Sequence, residues 1–159
     1  MKNSKLKITG HLEAKVFRHT PEGKILEQTI KGENLVVISG LNLVKALLNN
    51  EGSNNHLTKF KVGTGTTPVD FADTNLEAPV VIAGGEEFKA ADSIDSSADG
   101  VLVITLSLST SEANGHNLTE AGLFAENGTL FARRVLSTPI PKTNSNTVLF
   151  TWTLTISSL

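Results

Sequence analysis

Between Thr147 and Ser157 apolar and hydroxyl side chains alternate. Val148, Phe150, Trp152, Leu154 and Ile156 fall on one face, and Thr151, Thr153 and Thr155 on the other. Successive side chains point to opposite sides of a strand, so this row requires a sheet with one buried face and one wet face. The same period runs through Leu6 to Phe17, with Leu6, Ile8, Leu12, Ala14 and Val16 on one side. It recurs in Val101 to Ser109 with Leu102, Ile104, Leu106 and Leu108. Gly10 interrupts its row and is read as a bulge or bend. Thr20-Pro21-Glu22-Gly23 is turn chemistry, with proline presetting one dihedral and glycine accepting a positive one. Lys24 to Lys31 then returns as a strand with Leu26, Gln28 and Ile30 on one side, which makes a long first hairpin.

One stretch changes period. Leu41, Val44 and Leu48, with Leu43 and Leu47 alongside, predict a helix over 39–50, capped by Ser39 and stopped at Asn49-Asn50-Glu51-Gly52. Its apolar stripe is wide enough to lie against a sheet or a neighbouring subunit. Leu57 to Val62 reads as a short strand running into an irregular stretch that begins at Gly63. Ala78 to Ala83 and Glu86 to Ala91 are candidate short strands, and Asp92 to Gly100 a loop or hairpin tip. Leu118 to Leu136 reads as a hairpin turning at Asn127-Gly128, a pair that favours positive φ at both central residues. That register sets Phe124 opposite Phe131, Gly122 opposite Arg133 and Glu120 opposite Val135. Glu120 and Arg133 then share one face, within reach of each other. Ala121, Leu123, Ala125, Leu130, Ala132 and Arg134 take the other. The expected fold is mainly β: an antiparallel two-layer β sandwich or barrel-like single domain over 1–159, with one short α-helix near 39–50.

Composition narrows the function. A net charge of -2 argues against a nucleic-acid binder, which needs a basic stripe. Cysteine is absent, which excludes a disulfide framework, a thiolate zinc site and a cysteine nucleophile. No apolar run reaches the length of a membrane-spanning helix, and the N-terminal residues lack a signal-peptide apolar core. His11, His19, His56 and His116 show no metal-ligand spacing. Val62-Gly63-Thr64-Gly65-Thr66-Thr67-Pro68 lacks the third glycine of a dinucleotide loop and the lysine of a P-loop, so it reads as a tight bend. Asp92, Asp95 and Asp99 lack calcium-loop spacing. Lys2, Lys5, Lys7 and Lys15 read as the charged edge of a sheet. Arg133 and Arg134 point oppositely and cannot form one clamp. Asn117-Leu118-Thr119 and Asn127-Gly128-Thr129 match a glycosylation sequon, but carry little weight without a secretion signal. Trp152, in an apolar row, belongs to the core rather than to a sugar platform. No catalytic, cofactor-binding or metal residues are assigned.

Three segments in order carry a resemblance. They are Asn34-Leu35-Val36-Val37-Ile38-Ser39-Gly40-Leu41-Asn42-Leu43-Val44; then Phe60-Lys61-Val62-Gly63-Thr64-Gly65-Thr66-Thr67-Pro68 followed by Asp73-Thr74-Asn75-Leu76; and Leu118-Thr119-Glu120-Ala121-Gly122-Leu123-Phe124, continuing through Asn127 to Arg133 and the strand holding Trp152. From about Gly32 to the C-terminus the chain resembles tailed-bacteriophage virion structural proteins of the tail, collar or fibre-attachment kind. The resemblance implies a non-enzymatic virion component without cofactors, assembled in the bacterial host cytoplasm. Its partners would be itself, as a homo-oligomer, and other virion proteins, with no direct nucleic-acid or membrane contact. Strand edges, the glycine-rich loop and the Asp92–Gly100 tip are the expected contacts. A receptor- or glycan-binding module of a tail fibre is the alternative; binding on a glycan array would favour it.

Overall fold

The computed structural model describes residues 5–159. The long hairpin forms from β1 (Leu6–Thr20) and β2 (Gly23–Val36), and α1 (Ile38–Leu48) follows directly. Next come β3 (Leu57–Gly63) and two very short strands, β4 (Lys89–Ala90) and β5 (Ser93–Asp95). β6 (Val101–Leu108), β7 (His116–Ala125), β8 (Leu130–Lys142) and β9 (Asn146–Ser158) complete the chain. The strands make one antiparallel sheet in the order β4-β3-β7-β8-β2-β1-β9-β6-β5. It curls so that its two halves face each other, and the Phe60 ring of β3 lies 5.9 Å from Phe150 of β9. The barrel-like form of the expected β domain is the one adopted.

The alternating rows supply the inside. Leu12, Ala14 and Val16 of β1, Ile104, Leu106 and Leu108 of β6, and Val148, Phe150, Trp152 and Leu154 of β9 are all buried in one core. Packing these rows against each other removes most of the apolar surface from water, the main driving force for folding. β4 and β5 close the curl. Lys89 and Ala90 pair with β3, and Ser93 to Asp95 pair with β6. One stretch, Lys89 to Asp95, therefore occupies both rims of the sheet.

Several expectations change in detail. The bulge of the first hairpin falls between Val16 and Phe17, where Glu27 is the extra residue opposite them, and not at Gly10. A Cβ on Gly10 would collide with the Asn34 side chain, so this glycine answers a close approach. The bulge also turns Leu26 outward, away from the row of Gln28 and Ile30. β1 lies between β2 and β9, so Lys5, Lys7 and Lys15 do not mark a sheet edge; Lys2 lies outside the described residues. Ala78 to Ala83 forms only isolated bridges, Gly63 with Pro79 and Ala83 with Glu86. Asp92 to Gly100 contributes β5 and the turn into β6.

The helix begins at Ile38, and Val37 is its cap residue without a side-chain hydrogen bond. Ser39 instead donates its hydroxyl to Leu130 O at 2.6 Å, tying α1 to β8. Gly40 lies directly against the Phe131 carbonyl, where no Cβ would fit. Asn50, at φ 51, ends the helix in the left-handed conformation expected of asparagine.

The β7–β8 turn also differs. Gly128 N–H donates to Ala125 O and Ala125 N–H to Thr129 O, both at 2.9 Å. Of the turn pair only Gly128, at φ 88, has positive φ. This is a three-residue turn closed by a glycine bulge. Phe124 pairs with Leu130, leaving Phe131 as an extra residue, and Leu123 returns to Ala132. From there Gly122 pairs with Arg133 and Glu120 with Val135, as the register predicts. The slip exchanges two side chains: Phe131 joins the main core, while Leu130 packs outside with Phe124, Leu76 and Val37.

Candidate functional site

β7 is buried from Leu118 to Ala125 without alternation. Its inner residues, such as Ala121 and Leu123, face the core. Its outer residues, Glu120, Gly122 and Phe124, are covered by the loop that runs from Gly63 toward β4. Beneath that loop lie four buried polar residues, Lys61, Thr119, Glu120 and Arg133.

Glu120 is 0% exposed and Arg133 2%. Arg133 Nε donates to Glu120 Oε2 at 2.8 Å, Nη1 to Asp73 Oδ2 at 2.9 Å and Nη2 to Thr67 O at 3.1 Å. Three backbone N–H groups complete the Glu120 carboxylate: Gly65 at 3.1 Å, Glu77 at 3.1 Å and Ala78 at 2.7 Å. Thr119 donates its hydroxyl to Gly65 O at 2.8 Å. Glu77 accepts from Thr67 through both its N–H (2.8 Å) and its hydroxyl (2.7 Å). A buried charge is tolerable only when paired and fully hydrogen-bonded, and here both oxygens of Glu120 are. A Cβ on Gly63 or Gly65 would lie 2.5 Å from Glu120 Oε1. The glycines thus let the loop backbone approach a carboxylate of the chain itself, and the resemblance to a phosphate loop ends there.

The electrostatics fit a closed structural cluster. Burial alone would lower the Arg133 pKa, but its bonds to Asp73 and Glu120 outweigh that and raise it. The Thr67 hydroxyl, then the Thr67 amide, hold Glu77 below the ordinary carboxylate value. A second tie sits nearby. Lys61 Nζ pairs with Glu87 at 2.9 Å, reaches Asn75 Oδ1 at 3.3 Å, and lies 4.3 Å from the Phe88 ring centroid. Such a cation over an aromatic face adds to the attraction. At the opposite side of the sheet Lys142, 1% exposed, donates to Asn114 Oδ1 at 2.8 Å and Thr143 O at 2.9 Å. Burial pushes its pKa down.

The sequence places Glu120 beside Arg133, and they are bonded. It does not place Asp73, Thr67 or Glu77 with them, because those residues reach the pair through an irregular loop that carries no period. Nor does it single out Lys61 and Lys142, which sit in strands like solvated lysines. A lysine on a face otherwise committed to burial is the only hint. The four histidines do not converge, and among the described residues no group of histidine and carboxylate side chains could hold a metal ion. His19 Nε2 meets Thr147 Oγ1 at 3.1 Å. Asp92 accepts from Ser107 Oγ at 2.6 Å and Asp95 from Ser97 N–H at 2.8 Å, each held locally. Trp152 is fully buried, as expected of a core residue.

The segments that carry the resemblance therefore meet in space. Gly63 to Thr67 and Asp73 to Leu76 fold over Leu118 to Phe124 and Arg133, while Ser39 and Gly40 pack on Leu130 and Phe131. No family model, curated protein or solved structure matches this chain.

Proposed function

We propose that the chain is a non-enzymatic structural component of a bacteriophage virion, assembling as a homo-oligomer in the tail, collar or fibre-attachment apparatus. The observation that supports this reading is the fate of its motif residues. Glu120, Arg133, Asp73, Thr67 and Gly65 spend their hydrogen bonds within one cluster, and Gly63 leaves room for it. A catalytic site keeps a reactive group turned toward a substrate; here Glu120 and Arg133, the two strongest groups, are buried and bonded, and only Asp73 and Glu77 at the rim of the loop they fix meet solvent. With its motifs committed to shape, the chain works through its surface, as a building block does.

The experiment is assembly. Light scattering on the purified protein should give a multiple of 16.9 kDa. The chain should also be recovered in intact phage particles by mass spectrometry. A clean monomer at micromolar concentration that stays apart from added virion proteins overturns the proposal.

A further inference from the structure

α1 bears large apolar side chains on two sides. Leu43 and Gly40 face the sheet and are buried. Ile38, Leu41 and Leu48 remain exposed, Leu48 by 82%. With Lys45 among them, these positions are spaced three, four and three residues apart. That is the spacing of a seam between two packed helices. Among the described residues nothing covers the outer side of the stripe.

The apolar surface continues beyond the helix. The inward rows of β1 and β9 run past the core as Leu6 and Ile156, both exposed, with Leu47 beside them. An open hollow of about 230 Å³ lies between α1 and these strand ends. Ile38, Leu41 and Leu48 of the stripe expose the equivalent of about one and two-thirds side chains, and Leu47, Leu6 and Ile156 on the flank toward the hollow about as much again. At roughly 100 Å² of apolar surface per aliphatic side chain this is on the order of 350 Å². A patch of roughly 300–600 Å² usually marks an interaction site. A standard interface buries about 800 Å² per partner, about 60% of it apolar, so this patch supplies most of one apolar centre.

We propose that α1 seats against α1 of a second copy of this chain, antiparallel about a two-fold axis near Leu43. The inference rests on the homo-oligomer reading and specifies its interface. Lys45 selects the orientation. Parallel helices would bring Lys45 against Lys45 in a water-poor seam. The antiparallel arrangement sets Lys45 opposite Leu41 and Ile38 opposite Leu48, so the two ammonium groups stay apart. Each lysine stem then lies on apolar surface while its charge reaches the rim. The contact is isologous and closes on itself as a dimer.

The absence of cysteine makes the orientation testable. Sedimentation of the full chain should show a dimer of twice 16.9 kDa. The double variant Leu41→Glu and Leu48→Glu, altered only at exposed positions, should keep the wild-type circular dichroism and lose the concentration dependence of the melting midpoint while its dimer Kd rises at least 100-fold. Under mild oxidation Lys45→Cys alone should not cross-link, whereas Leu41→Cys mixed with Lys45→Cys should. Efficient self-cross-linking of Lys45→Cys overturns the antiparallel geometry. A wild-type monomer at 100 µM, or a monomer found by native mass spectrometry with an aliphatic ligand in the hollow, overturns the interface. A double variant that remains oligomeric also overturns it while leaving the virion reading intact. Absence of the wild-type chain from phage particles counts against that reading alone.

Discussion

Arg133→Met removes the guanidinium and keeps much of the side-chain volume. In the wild type the guanidinium bonds Glu120 and Asp73 at 2.8 and 2.9 Å while only 2% exposed. Without it the Glu120 carboxyl stays fully buried, still held by three backbone N–H groups but with no counter-charge. Removing one member of a buried pair costs about 3–5 kcal/mol. The surviving N–H bonds place this site at the lower end, about 3 kcal/mol. Two unit charges about 4 Å apart at an effective dielectric of about 20 give a similar figure. For a chain of this length each kcal/mol moves the melting midpoint by roughly 2–4 °C, so the midpoint should fall by roughly 6–12 °C. Circular dichroism melts report it, and urea unfolding should show a lower midpoint with unchanged slope. The double variant Glu120→Gln and Arg133→Met should be more stable than Arg133→Met alone, because the one fully buried carboxylate is gone and Asp73, partly exposed, keeps its contact with water. A midpoint shift under about 2 °C, or a double variant less stable than the single, would refute the argument that a buried pair anchors the loop.

Gly65→Ala places a Cβ 2.5 Å from Glu120 Oε1 and 2.6 Å from Glu77 Cβ. It should lower stability by about 1–3 kcal/mol in urea titration and speed amide exchange at Glu77 and Ala78. Gly128→Val, at φ 88 with a Cβ meeting only Phe88 Cζ at 3.9 Å, should cost about 1–2 kcal/mol, chiefly from backbone strain, and an unchanged melt would contradict the turn. Acid should destabilise the fold in a defined window. Glu77 is lowered by Thr67, and Glu126 by the Thr58 hydroxyl and Lys59; for Glu112 burial opposes, but its bonds to Lys89 and Ser109 prevail. Because these folded-state values lie below the ordinary 4.5, the unfolded chain takes up protons first. Stability is then full above about pH 4.5 and declines below it, and a midpoint that holds from pH 5 to 3 would contradict these assignments.

Much of this architecture was legible because strand alternation is a strong local signal. β9, β6 and the inner face of β1 follow their apolar rows, and the β7–β8 register holds from Glu120 to Leu123. What escaped was governed by contacts distant in sequence. Phe131 swings inward because α1 packs on its carbonyl through Gly40, and no pattern within the hairpin announces that. Ser39 leaves its expected cap because the Leu130 carbonyl competes for its hydroxyl. Gly10 and Gly63 look like bend glycines in sequence, yet each answers a side chain elsewhere, Asn34 and Glu120. β4 and β5 cover short parts of the β3 and β6 edges, and their two or three residues are too few to show a period in sequence.

The stretch from Lys89 to Asp95 has a mechanical consequence. Ala91 N–H donates to Thr58 O and Asp92 N–H to Thr105 O, at 2.7 and 2.8 Å, so neighbouring residues lace two opposite margins. A load that pulls the barrel wall apart around its girth concentrates on those few bonds and on the two-residue junction of β2 with β8, while the long ladders of β1 with β2 and β9 share it among many. Under tension the wall should part at these narrow seams before the long ladders give, with the Glu120–Arg133 cluster still intact on one leaf.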